Sequence, residues 1–218
     1  MNWKPFPWWS LKTRVTLFTL AIFLIGIWSL AFYASRMLRE DMQRLLGDQQ
    51  FSTVSVLAAQ VDKELGERLR ALESVAGSIG PTLLGNTAAL QTVLEQRPVF
   101  QSLFNGGAFV IGLDGTAIAS IPRSAGRGGV NYLDRDFMAA ALKEGRATIG
   151  RPLIGKQLRS PVFGMAVPIR DAKDGVIGAL IGATDLAKPN FLDRITENRF
   201  GKTGDYLLAT PQHRSIVT

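Results

Sequence analysis

The sequence predicts an α+β fold: an antiparallel sheet flanked by helices, placed behind a membrane-length helix and a long helical stalk. Three observations predict it. Residues 15–34 carry no charge. A narrow apolar stripe at helical spacing follows that run. Beyond residue 107 the period changes to short apolar runs joined by Asp-Gly turns, the pattern of consecutive hairpins.

The chain has 218 residues, enough for one or two domains with a sizeable core. It has no cysteine, which excludes disulfides, thiolate zinc sites and cysteine nucleophiles. The net charge is +7, and Lys4, Lys12 and Arg14 stand in the first fourteen residues without an acid. The remaining +4 is scattered, with no run of Lys/Arg interleaved with aromatics, so nucleic acid is not an expected partner.

The run 15-VTLFTLAIFLIGIWSLAFYA-34 has 20 uncharged positions. As a helix it covers about 30 Å, the thickness of a bilayer's hydrocarbon core. Trp3, Trp8 and Trp9 precede it, and Trp28 and Tyr33 lie near its far end, where interfacial aromatics belong. The competing reading is a cleaved signal peptide, for which Ser29-Leu30-Ala31 is a weak site and the apolar run is long. A retained anchor is the expectation. Lys4, Lys12 and Arg14 on one side balance Arg36, Arg39 and Arg44 on the other, so the positive-inside rule ties. The expected orientation puts the arm 1–14 in the cytoplasm and everything after residue 34 outside.

Residues 35–80 read as one long helix, roughly 69 Å at 1.5 Å per residue. Val54, Ala58, Val61, Leu65, Leu69, Leu72, Val75 and Ile79 form its stripe. Asp62, Lys63, Glu64, Glu67, Arg68 and Arg70 are expected on the other faces, and Gly80-Pro81 is the expected stop. The stripe suits either a dimer seam or a helix lying along a domain, and Gly47 and Gly66 are candidate interruptions.

A second helix is expected over 88–96, ending before Pro98. Strands are expected at 108–113 and 116–121, joined by the hairpin turn Asp114-Gly115. The Gly-rich segment 122–131 lacks phosphate-loop spacing and reads as a flexible loop. A short helix follows in 131-NYLDRDFMAAALKEG-145. Further strands are expected near 147–154, 161–169 and 176–186, the last two joined by a turn at 170–175. A helix at 190–199, a turn at Lys202-Thr203-Gly204 and a new strand from 205 complete the reading.

Catalysis is not expected. His213 is the single histidine, and HExxH and GxSxG are absent, so no base-and-nucleophile pair or metal site is indicated. Asp134 and Asp136, two apart, point to different helix faces and would not share a substrate. Arg135 lies between them. It reads either as an anion-holding side chain or as a partner for a nearby acid, with Asp134 capping the helix. Residues 97–159 carry nine Lys/Arg against four Asp/Glu, a local +5 that favours an anionic ligand.

Taken together, these features resemble the double-Cache extracytoplasmic sensor domains of bacterial receptors. The resemblance rests on the membrane helix, the long helix and the Phe109–Ile121 hairpin with its Asp-Gly turn. It rests also on Tyr132-Leu133-Asp134-Arg135-Asp136-Phe137, Ile149-Gly150-Arg151-Pro152, Ala166-Val167-Pro168-Ile169, Gly178–Leu186 and 201-GKTGDYLLAT-210. It implies a membrane-distal PAS-like module at 81–200 and the start of a truncated membrane-proximal one at 201–218. It also implies a bacterial inner-membrane location and a missing cytoplasmic output domain: a histidine kinase of a two-component system, a diguanylate cyclase or phosphodiesterase, or a chemoreceptor.

Amino-acid-binding members carry Tyr-x-x-Arg-x-Trp-Tyr with a further Tyr and Asp downstream. Tyr132, Arg135 and Phe137 fall on the first three elements and Asp185 on the downstream acid, which makes these four the expected ligand residues. Met138 replaces the last aromatic, and no tyrosine stands between 133 and 205. The arginine would fork onto a carboxylate and the acid would hold an ammonium. A carboxylate without an amine is equally compatible. The expected partners are a small carboxylate or amino acid, the bilayer through 15–34, and a second copy along the long helix, with no cofactor. The alternative function is a scaffold that dimerises or holds a partner protein without a small ligand.

Overall fold

The computed structural model describes residues 11–193 and the backbone of the two-residue strands Ala209–Thr210 and Ser215–Ile216. The chain divides into two compact units, Met1–Leu57 and Ala58–Thr218.

Helix α1 runs without interruption over Leu11–Ala76. The uncharged run and the stalk are therefore one helix, and neither Gly47 nor Gly66 breaks it. In the first unit every described side chain from 12 to 56 is exposed, and the helix is long and apolar enough to cross a membrane. In the second unit the stripe meets a core. Val61, Leu72, Val75 and Ile79 are buried and Leu65 and Leu69 pack against them. From Val61 on, the stripe serves the domain's own interior, while Val54 remains exposed. The helix also stops earlier than Gly80-Pro81. Gly77 follows Ala76 with the lowest propensity of any residue but proline, and the Ser78 hydroxyl donates to the Val75 carbonyl at 2.7 Å, satisfying an end group. Pro81 then opens a one-turn helix, α2 (Pro81–Leu84).

Helix α3 (Thr87–Glu95) starts where Asn86 Oδ1 accepts from the Ala89 amide at 3.0 Å. Asn86→Ala should cost about 1 kcal/mol, read as a lowered denaturation midpoint of the second unit. The helix ends before Pro98, as expected, and Pro98 then caps a separate five-residue helix, α4 (Val99–Leu103).

The sheet comprises β1 (Ala108–Gly112), β2 (Ala117–Ile121), β3 (Thr148–Ile149), β4 (Leu153–Ile154), β5 (Pro161–Arg170) and β6 (Val176–Asp185). Its order is β2-β1-β6-β5-β3, with β4 also paired to β5, and every described pairing is antiparallel. The single strand expected at 147–154 is two short ones, because Gly150 and Pro152 interrupt it and Pro152 has no amide to donate. The Asp114-Gly115 turn forms, with Gly115 at φ +77°. Helix α5 (Asp136–Leu142) and a 3₁₀ turn (Arg123–Ala125) lie between β2 and β3.

Residue alternation assigns the two sheet faces. Ala108, Val110, Met165, Val167 and Leu180 pack with the α1 stripe, α3 and α4. Phe109, Ile111, Ala166, Ala179 and Ile181 pack with Tyr132 and α5. The outer edge of β2 is covered by a side chain: buried Gln91 donates to Ser120 O at 2.8 Å and accepts from Ser120 N at 3.0 Å.

Arg68 departs from expectation. It is buried, not facing solvent, and ties α1 to the module. Its guanidinium donates to Leu103 O at 3.1 Å and to Glu64 at 2.5 Å, and lies 3.8 Å from the centre of the Phe191 ring. Most of the helix expected at 190–199, the turn at 202–204 and the first part of the strand from 205 lie outside the described residues. Ala209–Thr210 does pair with Ser215–Ile216.

Candidate functional site

On the sheet face opposite the α1 stripe lies a cleft of about 440 Å³, its open mouth included. Its floor is Phe109, Ile181, Ala183, Gly164 and Val162 from the three central strands. Its rim comes from Arg127, Tyr132, Arg135, Phe137 and the 153–158 segment. Three of the four expected ligand residues, Tyr132, Arg135 and Phe137, line it.

Each is placed by local structure. Tyr132 follows the hairpin-facing Asn131 and is anchored by its own amide to Gly115 O at 2.9 Å. Its ring stacks against Phe109 with centroids 4.8 Å apart. Arg135 occupies the N-cap position of α5 in extended conformation and makes no side-chain cap. Its side chain donates to Ile154 O at 3.2 Å. Phe137, two residues on, lies over the backbone of two glycines: a Cβ on Gly150 would come within 2.3 Å of its ring and one on Gly164 within 2.6 Å. Gly150 N donates to Gly164 O at 2.7 Å, so the two glycines form one flat seat.

Asp134 does not cap α5. Its carboxylate pairs with Lys156 Nζ at 2.7 Å and stands 3.9 Å from Arg135 Nε. The Lys156 hydrogen bond holds the Asp134 carboxyl below the usual carboxylate range. Asp136 pairs instead with Arg151 at 3.0 Å. Lys156 also donates to Asn131 O at 2.7 Å and lies 5.6 Å from the centre of the Tyr132 ring.

The fourth expected residue does not line the cleft. Asp185 is buried at the end of β6, where its Oδ1 accepts from the Ala187 amide at 3.1 Å and its Oδ2 stands 3.7 Å from Lys188 Nζ. Asn105 brackets its backbone, accepting from Asp185 N at 2.8 Å and donating to its carbonyl at 2.9 Å. These contacts close a turn at the strand's end.

Arg127, which the sequence reading placed in a flexible loop, is a cleft residue. It is only 3% exposed, its guanidinium lies 5.1 Å from the Phe109 centroid, and one terminal nitrogen donates to the Gly106 carbonyl. Burial pulls its pKa down, Tyr132 opposing; burial likewise pushes the Tyr132 phenol up, Arg127 opposing. The cleft lining thus holds three cationic side chains, Arg127, Arg135 and Lys156, on an aromatic and aliphatic floor, and no Asp or Glu.

Solved structures share this architecture. The ligand-binding domain of the Pseudomonas aeruginosa amino-acid chemoreceptor PctB, in complex with L-Gln, matches with a TM-score of 0.58 at 24% identity, covering 71% of this chain and 61% of that one. The ligand-binding domain of the Pseudomonas fluorescens chemoreceptor CtaA, in complex with L-serine, matches at 0.57 and 18% identity, covering 75% and 67%. The sensor domain of the V. cholerae histidine kinase DctB matches at 0.54 and 18% identity, covering 66% and 57%. The fold is that of the Cache-type sensor domains. The resemblance read from the sequence holds at the level of fold, and the chain spans between 57% and 67% of those three relatives. No protein-family model matches the chain, and no curated protein does.

Proposed function

We propose that this chain is the extracytoplasmic sensing region of a bacterial membrane receptor, and that its cleft takes a small organic anion, a carboxylate or amino acid. The observation that carries the reading is the cleft itself: three cations converge over an apolar floor with no acid in the lining. A positively charged pocket of this kind binds a small anion through charge-assisted hydrogen bonds. Among the sequence-expected ligand residues, Tyr132, Arg135 and Phe137 have the position for it. The chain itself is non-catalytic in this reading. Its output, whether kinase, diguanylate cyclase, phosphodiesterase or chemoreceptor, lies outside it.

The proposed organisation has a cytoplasmic arm (1–14), a membrane span (15–34), a signalling helix (35–80), a distal module (81–200) and the start of a second module (201–218). The span would hold the chain in the inner membrane. Pairing of two copies along the helix belongs to the proposal, through residues before Ala58, since Val61–Ile79 are already covered. Within the second unit, occupancy has a physical route to the helix. Arg127 holds the carbonyl of Gly106, and three residues earlier Arg68 of α1 holds that of Leu103. A ligand that displaces one end of this short segment would bias the other.

Calorimetric titration of the full chain in detergent against organic and amino acids tests the reading. Saturable binding is expected, with Arg135→Ala weakening it tenfold or more. Binding indifferent to Arg135→Ala would remove the arginine's role. A chain that bound no anion would favour the scaffold alternative, for which the exposed Met37, Leu38, Met42, Leu45, Leu46 and Phe51 speak.

A further inference from the structure

We infer that Arg127 is the principal anchor of the anion and that the ligand is a carboxylate carrying no ammonium group. This rests on the proposal that the cleft binds a small anion, and narrows it.

The first half follows from an unmet hydrogen-bonding group. Of the two terminal nitrogens of Arg127, Nη2 donates to Gly106 O, whereas Nη1 is buried with no well-formed hydrogen bond, the Tyr132 phenol being the polar side chain set against the guanidinium. No acid lines the cleft to neutralise the charge. A buried guanidinium with an unpaired donor and no counter-ion is costly to maintain. A carboxylate oxygen would satisfy both deficits at once. The other two cations are already engaged: Arg135 on Ile154 O, Lys156 on Asn131 O and Asp134. They add attraction at the rim, while Arg127 carries the buried nitrogen whose hydrogen bond is unmet.

The second half follows from what the cleft lacks. An ammonium entering beside three cations needs a carboxylate to receive it. Asp185, the one acid a motif comparison offers, is held by the Ala187 amide and Lys188 and does not line the cleft. Asp134 is taken by Lys156 and Asp136 by Arg151. Desolvating an unpaired ammonium next to like charges would weaken binding, so the amine-free acid is the better ligand. Its body would lie on Phe109, Leu153, Val162 and Ile181.

The test uses the full chain in detergent and pairs of acids that differ only by the α-ammonium: 4-methylpentanoate with L-leucine, 3-phenylpropanoate with L-phenylalanine, glutarate with L-glutamate. In every pair that binds, the amine-free member is expected to bind at least tenfold more tightly. Arg127→Lys, which keeps the charge and loses the fork, is expected to weaken it a further tenfold or more. In the unsubstituted chain, the side-chain nitrogen resonances of Arg127 should shift on saturation with the best binder, a readout that needs no variant to fold. If the amino acids bind as well or better, the amine-free class is wrong and the anion cleft stands. Unchanged affinity in Arg127→Lys, or stationary Arg127 resonances, would overturn the anchor alone. If neither member of any pair binds, both the inference and the proposed function fall.

Discussion

Replacing Phe104 with alanine should destabilise the sensing module by about 3–5 kcal/mol, the range for truncating a buried phenylalanine. The ring is 1% exposed and lies on the sheet face that receives α1. It packs 6.4 Å from Phe100, centre to centre, and seats on Gly182, where a Cβ would come within 2.3 Å of it. Gly182 stands between Ala108 and Met165 in the centre of the sheet. The cavity would therefore open against rigid backbone on one side and the stripe of α1 on the other, with little scope for collapse. Hydrogen exchange of the β5 and β6 amides is the suitable readout. Tryptophan fluorescence is not, because the four tryptophans (3, 8, 9 and 28) all precede the module. A loss below about 1 kcal/mol would show that this interface between sheet and helices can repack.

The second large effect falls on the cleft. Gly164→Ala should lower ligand affinity at least tenfold while destabilising the fold by only about 1–3 kcal/mol, the usual range for overpacking. The added methyl would come within 2.6 Å of the Phe137 ring, which already lies over Gly150. Backbone holds the ring from below, so relief is available only toward the cleft, which Phe137 lines. Phe137→Ala in the same chain removes the clash. The double variant should regain affinity relative to Gly164→Ala, and a double variant no better than the single one would refute the steric account.

The strands and the hairpins were legible because the sheet's periodicity survives in the chain: Phe109, Ile111 and Ile181 alternate with Val110 and Leu180, and Asp114-Gly115 and the Asp/Gly turn at 170–175 mark the reversals. Helix limits were less legible. Gly80-Pro81 looked like a stop, but the Ser78 hydroxyl and Gly77 end α1 sooner, and a proline that reads as a terminator opens the next turn. The two arginines that matter most to the packing, Arg68 and Arg127, were invisible as such. Local sequence marks each as a solvated charge. Their burial is decided by partners 35 and 21 residues away, at Leu103 and Gly106. A loop rich in glycine carries no periodicity to show which of its side chains turns inward. Asp185 shows the reverse. A motif position pointed to a ligand, and the nearby amide and lysine claim it instead.

The most direct test of the account is a crystal structure of the second unit's fold within the full chain, soaked or grown with the tightest-binding carboxylate. The expected result is one carboxylate in the cleft over Phe109 and Ile181, with an oxygen about 2.7–2.9 Å from Arg127 Nη1. A carboxylate bound elsewhere, with Arg127 and Arg135 unaltered and the cleft filled only by solvent, would contradict it.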